Sequence, residues 1–258
     1  MTKYIKLFIF KSFGLKKYLR IVQRTYFLLY QTRILKLDPN YAYHYFVKYL
    51  INKGDVVIDI GANLGYYSIL FAQWTGDTGK VFSVEPISVY NDIFNEKAKK
   101  YKNITLYPYA LGTEEKIVEL VSPDNGFLNT GLPHIYDSKL DGKLENQKFI
   151  FKAQMKKPSD LFNNFERINY IKCDIEGFEY VVLSDMKHII KKNNPIVQVE
   201  VWPDNEKSVL SMFEDLDYSS YKMNKHKLIQ QRENENLQNG DYIFIPNLFK
   251  NTLNPNIF

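Results

Sequence analysis

The chain has 258 residues, 45% of them hydrophobic, 24% charged and one of them cysteine. That length buries a core without disulfides or a structural metal, and a lone Cys173 cannot form an intramolecular disulfide, so a disulfide-stapled scaffold is excluded and a reducing compartment is expected. The net charge of +5 is concentrated in residues 1–36, which hold nine basic and no acidic residues and leave 25 basic against 29 acidic residues in the rest; a nucleic-acid footprint over the main body is therefore not expected.

Residues 3–36 place Tyr4, Leu7, Phe8, Leu15, Tyr18, Leu19, Val22, Tyr26 and Leu29 at three- and four-residue steps. This predicts a helix, interrupted near Ser12-Phe13-Gly14. The plain reading is an apolar side packed on the main domain. Basic amphipathic helices also bind anionic lipid, so a peripheral membrane contact through residues 1–36 is a second reading and a substrate lid a third. Asp38-Pro39-Asn40 ends this pattern and caps a further helix over about 40–52. The expected division is an N-terminal basic helical extension, 1–52, and a main domain, 53–258. No apolar run approaches the roughly 18 residues that span a bilayer, and no signal-peptide pattern opens the chain; the expectation is a cytoplasmic protein.

"DVVIDI" (55–60), bounded by Gly54 and Gly61, reads as a strand buried on both faces. Residues 65–75 read as helix, "KVFSVE" (80–85) as strand, 87–100 as helix and "NITLYPYAL" (103–111) as one strand. This alternation indicates a parallel, doubly wound sheet. Residues 112–160 are less regular. "EKIVELVS" and "QKFIFKAQM" read as edge strands or hairpin arms around "PDNGFLNTGLPHIYDSKLDGK", a polar stretch long enough to suggest a functional loop. The rhythm resumes with "INYIKCDIEG" (168–177), a helix from near 178, "PIVQVEVW" (195–202), a helix through about 216 and closing strands near 218–231 and at "DYIFIP" (241–246).

The turn Asp59-Ile60-Gly61-Ala62-Asn63-Leu64-Gly65 joins a buried strand to a helix, a setting that presents unpaired N–H groups to a ligand. A triphosphate is a poor fit, because no Gly-Lys-Ser/Thr follows. A nicotinamide dinucleotide fits better, but its fingerprint spaces three glycines as G-x-G-x-x-G, and here the spacing is G-x-x-x-G, with Asp59 just before it. S-adenosylmethionine carries no phosphate. Asp59 suits its ammonium, the turn through Gly61, Asn63, Gly65 and Tyr67 its carboxylate, and Glu85 its two ribose hydroxyls. Tyr109-Ala110-Leu111 would then lie along the adenine, outside the strand ends.

With these residues in place the sequence resembles the FkbM-type methyltransferases. "VIDIGANLGYYSILFA", "GKVFSVEP", "YALG", "NTG", "INYIKCDIEGFEYVVL", "PIVQVEV" and "DYIFIP" occur in the order that family shows, over roughly 54–246. The resemblance implies a class I methyltransferase fold: a Rossmann-like α/β domain with a doubly wound, mostly parallel seven-stranded sheet, its last strand antiparallel, here with an N-terminal helical arm. It also implies S-adenosylmethionine-dependent O-methyl transfer, often to sugar or secondary-metabolite hydroxyls. Two departures stand out. "KKPSDLF" replaces a Thr-Leu-Asp element, and Cys173 occupies a usually aliphatic strand position, where it reads as a buried residue rather than a nucleophile.

A weakly acidic hydroxyl acceptor needs a base or a metal to help remove its proton. Asp174 and Glu176, two apart, would share a face in extended geometry, and Glu200 closes the neighbouring strand. These three are expected to line the acceptor pocket, with paired carboxylates pushing each other's pKa apart. Plainer readings compete: a helix cap for Glu176 or Glu179, a structural partner for Glu200 in Lys172 or backbone, or a Mg²⁺ ion held by oxygen ligands, which is not predicted. His134, in "NTGLPHIY", is a further candidate base, and Asn129 and Thr130 candidate acceptor contacts. His44, His188 and His226 receive no role. The expectation is a methyltransferase acting on a saccharide hydroxyl, lipid-linked or nucleotide-activated. A NAD-dependent oxidoreductase and a non-catalytic cofactor-binding scaffold of a glycan-assembly complex are the alternatives.

Overall fold

The structure, a computed structural model, describes residues 3–122, 133–147, 149–224, 227–231, 240–250 and 252–258. Asn129, Thr130 and His226 lie outside the described residues.

Helix α1, Lys3–Gln31, contains the expected interruption, with Gly14 at φ 75° and ψ 172°. Its second half lies on the main domain. Tyr18 and Leu19 pack with Leu64, Ile87, Tyr90 and Ile93, and Tyr26 and Phe27 with Ala62, Ile69, Phe94 and Ala98. Buried Gln23 donates to the carbonyls of Leu64 (2.7 Å) and Ile93 (3.2 Å), a polar tie inside that contact. The helix expected over 40–52 is broken up. Asp38 does cap the start, accepting from the Asn40 N–H. Beyond the cap the chain forms only a one-turn helix α2, Ala42–Phe46, between 3₁₀ turns Pro39–Tyr41 and Val47–Tyr49. Tertiary contacts set this path: Tyr43 Oη donates to the Asp241 carbonyl and accepts from the Met223 N–H.

The main domain then runs β1 (Val56–Ile60), α3 (Tyr66–Thr75), β2 (Lys80–Val84), α4 (Ser88–Ala98) and β3 (Ile104–Tyr107). Next come β4 (Tyr109–Leu111), β5 (Lys116–Val121), β6 (His134–Ile135), α5 (Ser138–Asp141), β7 (Ile150–Lys156) and α6 (Pro158–Phe162). The remainder comprises β8 (Tyr170–Cys173), α7 (Glu179–Asp185), α8 (Lys187–Asn193), β9 (Ile196–Val201), α9 (Pro203–Asp215), β10 (Tyr218–Asn224), β11 (Lys227–Gln230) and β12 (Gly240–Pro246).

The main sheet has the order β11-β10-β12-β9-β8-β1-β2-β3. Pairings from β9 through β8, β1 and β2 to β3 are parallel, and β12 is antiparallel to both β9 and β10. This is the expected seven-stranded doubly wound arrangement, with β11 added at one edge by the hairpin after β10. Apolar clusters cover both faces of the sheet, which is why β1 and β8 read as almost unbroken hydrophobic runs.

Residues 103–111 are not one strand. Pro108 has no N–H to give a ladder, and the chain leaves the main sheet there. Tyr109–Leu111 instead pairs with β7 in a second sheet of order β4-β7-β5-β6. The strand order reverses between β1 and β8, and in open α/β sheets ligands bind in the crevice that opens at this point.

Candidate functional site

The turn after β1 is held from three sides. Gly61 sits at φ 81°, and a Cβ there would lie 1.8 Å from the Asp174 carbonyl oxygen. Glycine is therefore required because the turn abuts the end of β8, more than for approach to a ligand. Gly65, also at φ 81°, faces the Phe94 ring and lines neither cavity described below. Between them Asn63 adopts φ 52°, a left-handed conformation that asparagine tolerates. Its backbone N–H donates to Glu85 Oε2 and the Ile87 N–H to Glu85 Oε1, both at 2.8 Å. Burial, opposed only in part by these donors, pushes the Glu85 carboxyl up to about 7.

One crevice opens on the Glu85 side of this turn. Its wall includes Glu85, Ile87, Tyr109, Ala110, Leu111 and His134. Tyr109, Ala110 and Leu111, expected beside the adenine, thus line this crevice, although they come from the second sheet. His134 does not join the acidic cavity; its Nε2 lies 2.9 Å from Asp141 Oδ1.

A cavity of about 620 Å³ opens on the other side of the turn. Gly61, Asn63, Asp174 and Glu176 border both spaces, so the two meet along these residues. Asp174, Glu176 and Glu200 each bring an oxygen to within 4.8 Å of the others. They converge, but not by strand alternation: β8 ends at Cys173, and Glu176 at φ 57° and Gly177 at φ 100° turn the chain back. Glu179 holds that turn. It is fully buried and accepts from the N–H groups of Ile175 (2.9 Å) and Gly177 (3.0 Å) and from Asn205 Nδ2 (3.1 Å). Glu179 thus ties the turn ahead of α7 and not the helix start, whose N-cap, Phe178, has no side-chain cap bond, and Glu176 is left in the cavity.

One buried cation serves this acidic group. Lys172 is 3% exposed and places its Nζ 2.6 Å from Asp174 Oδ2, with Asp59 its register partner on β1. Burial opposes ionisation of Asp174, but the Lys172 ammonium prevails and holds its carboxyl below the usual range. Burial and then the Asp174 charge push Glu176 up to about 8. The same two causes, joined by a hydrogen bond to Asp174, push Glu200 up to about 9. At neutral pH the group thus holds one ionised carboxylate beside two that keep their protons.

Asp59 is fully buried. Its Oδ2 accepts from Ser68 Oγ at 2.5 Å, and Ser83 Oγ donates to Ser68 Oγ at 2.8 Å. Its Oδ1 has no hydrogen-bond partner among the described residues. Tyr26 Oη and His44 Nδ1 share that condition. An orphaned buried polar group costs about 1–3 kcal/mol, and all three side chains border the acidic cavity. Sequence reasoning missed Tyr26 and His44, which reach the site only because α1 and α2 fold over the turn. Tyr67, expected at the cofactor, lies here too, its ring 4.2 Å from the His44 ring and 4.8 Å from Lys172 Nζ.

S-adenosylmethionine fits these residues. The free Asp59 oxygen suits an ammonium, and Glu85, at the end of β2, suits a ribose diol. A doubly wound sheet with β12 antiparallel, a G-x-x-x-G turn after β1 and an acid closing the second strand define a class I S-adenosylmethionine-dependent methyltransferase. Consistent with this, the Methyltransferase FkbM domain profile matches residues 59–220, and the chain belongs to that family. No curated protein matches the sequence. Among solved structures, methyltransferase FkbM from Methylobacillus flagellatus KT is 16% identical, with a TM-score of 0.47 over 75% of this chain and 44% of that one, so this chain spans less than half of its length. SMU.1697c from Streptococcus mutans, a putative methyltransferase in complex with SAH, is 13% identical, with a TM-score of 0.44 over 78% of this chain and 93% of that one. A SAM-dependent O-methyltransferase from Thermotoga maritima is 11% identical, with a TM-score of 0.42 over 81% and 65%.

Proposed function

We propose that the protein is an O-methyltransferase acting on a hydroxyl of a saccharide, in a cell-surface glycan or in its nucleotide- or lipid-linked precursor. The observation that carries this reading is the carboxylate group Asp174, Glu176 and Glu200 in a cavity continuous with the Glu85 crevice. Bound S-adenosylmethionine supplies an electrophilic sulfonium methyl. Asp59, Asn63 and Glu85 hold the cofactor's two ends, and Tyr109–Leu111 flank its base. Positioning of this kind supplies much of the rate in methyl transfer.

Glu176 borders both spaces, so it stands where donor and acceptor meet. It is assigned as the base that takes the proton from the acceptor hydroxyl at its carboxylate oxygen. A pKa near 8 suits this role, because a base works best when its pKa lies near the working pH. Asp174 and Glu200 share a hydrogen bond and accept from further hydroxyls of the acceptor. Tyr41 and Tyr66 border the same cavity, and each offers an apolar ring face with a polar tip beside the carboxylates. Lys172 already neutralises Asp174, which favours acid–base chemistry over a metal at this group.

Methyl transfer from methyl-labelled S-adenosylmethionine into nucleotide sugars, lipid-linked saccharides and small phenols tests the reading. Label in the saccharides supports it, and label in phenols alone overturns it. Calorimetry showing tight NAD(H) binding and no S-adenosylmethionine binding would favour the oxidoreductase.

No helix among the described residues is long and apolar enough to cross a membrane. The first half of α1 nonetheless exposes Tyr4 (84%), Ile5 (50%), Phe8 (68%) and Phe13 (52%) on a segment without acidic residues. This composition supports a peripheral contact with an anionic lipid surface on the cytoplasmic side, where lipid-linked glycans are assembled. Flotation with phosphatidylglycerol-containing vesicles, lost in Phe8→Glu and absent with pure phosphatidylcholine, is the expected result. Equal recovery of wild type and Phe8→Glu would remove the membrane contact.

A further inference from the structure

Six side-chain polar atoms are buried without a hydrogen-bond partner among the described residues. Three of them, Asn91 Oδ1, Ser122 Oγ and Tyr218 Oη, belong to residues that border neither cavity. The other three, Asp59 Oδ1, Tyr26 Oη and His44 Nδ1, belong to side chains around one space, beside the turn at Gly61–Asn63. Such groups are rare in folded chains, and three around one cavity point to a ligand that completes them.

Their chemistry is complementary. Asp59 Oδ1 accepts, and the Tyr26 hydroxyl donates. Burial and then the Lys172 charge lower the His44 imidazole to about 3, so the ring is neutral and carries a single N–H. Its stack on Tyr67 at 4.2 Å fixes the plane in which that N–H points. With the single N–H assigned to Nδ1, the atom without a partner, one acceptor and two donors match a zwitterionic α-amino acid, with its ammonium on Asp59 and its carboxylate on Tyr26 and His44. Lys172 is held by Asp174 at 2.6 Å, and Lys6, the other lysine at this cavity, stands on the same helix as Tyr26.

We propose that Tyr26 on α1 and His44 on α2 bind the carboxylate of the cofactor's amino-acid tail, so that the N-terminal arm is part of the cofactor site and not an appendage. This rests on the S-adenosylmethionine reading above. It assigns α1 a second task besides packing, and Gln23, bonded to Leu64 and Ile93, fixes the helix that carries Tyr26 over the turn.

The test compares two ligands that share the nucleoside but differ in the tail. S-adenosylhomocysteine has the amino-acid group, and 5′-methylthioadenosine lacks it. Calorimetry on the full chain measures both against wild type, Tyr26→Phe, His44→Phe and His44→Asn. Tyr26→Phe removes only a hydroxyl, and His44→Phe keeps the stack on Tyr67, so both are expected to fold. Each should weaken S-adenosylhomocysteine about tenfold, as loss of one hydrogen bond to a charged group does, and leave 5′-methylthioadenosine within about twofold. His44→Asn, which restores an N–H near the Nδ1 position, should recover most of the loss. Unchanged S-adenosylhomocysteine affinity in both Phe variants overturns the proposal, as does an equal loss for the two ligands. Failure of the wild-type chain to bind either ligand overturns the cofactor reading, and the proposal with it.

Discussion

The two spaces on either side of the Gly61–Asn63 turn differ in how they are built. The Glu85 crevice is lined by the ends of β1 and β2, the start of α4 and the second sheet, and Glu85 itself is satisfied by the Asn63 and Ile87 N–H groups. The acidic cavity gathers residues from α1, α2, β1, β8 and β9, and acids outnumber bases around it: Asp59, Asp174, Glu176 and Glu200 against Lys6 and Lys172. On the proposed reading, the first receives the cofactor's neutral nucleoside. The second holds protons and unpaired polar groups that a cation and an acceptor would complete.

The largest expected effect separates them most sharply. Glu176→Gln should lower turnover by about 10²- to 10⁴-fold, the range for a lost general base, while S-adenosylhomocysteine affinity stays within a few-fold. Full turnover in this variant would remove Glu176 as the base and shift attention to Glu200. On the crevice side, Glu85→Ala should weaken S-adenosylhomocysteine and 5′-methylthioadenosine alike, by about 10- to 100-fold, since both present the same ribose. A loss confined to the tailed ligand would show the two spaces wrongly assigned.

A pH profile sharpens the comparison further. Glu176 must lose its proton to act, so kcat/KM should rise with pH through about 8. A flat profile from about pH 6 to 9 would mean the base ionises elsewhere. The smallest effect is on stability. Glu200 is raised to about 9 in the fold from an ordinary value of 4.5. The folded chain therefore binds this proton more tightly than the unfolded chain, and its contribution is present below the unfolded value and lost as pH rises through 9. Glu200→Gln removes that loss. Its melting temperature should exceed wild type by about 2–4 °C near pH 9 and not near pH 5; an equal gain at both would point to packing.

Much of the fold could be read along the chain, because β1, β2, β8 and β9 are buried runs set between helical stretches and hydrophobic periodicity is a local property. The interruption at Gly14 and the cap at Asp38 were legible for the same reason. Pro108 was a visible signal whose consequence was not: it ends β3 and sends Tyr109–Leu111 to another sheet. Glu176 and Glu179 were both candidates for the cap, and only the turn at Glu176–Gly177 shows that Glu179 takes the N–H groups and leaves Glu176 to the cavity.

By itself the sequence determined the order of elements, the glycine turn, the Asp59 and Glu85 pair and the family they belong to. These rest on spacing within a strand, a turn and a helix. Tertiary structure alone decided which polar atoms remain without partners. Tyr26 and His44 lie 33 and 15 residues before Asp59 in sequence and carry no motif. Tyr26 borders the cavity because the apolar side of α1 is buried on α3 and α4, and His44 because Tyr43 ties α2 to β10 and β12.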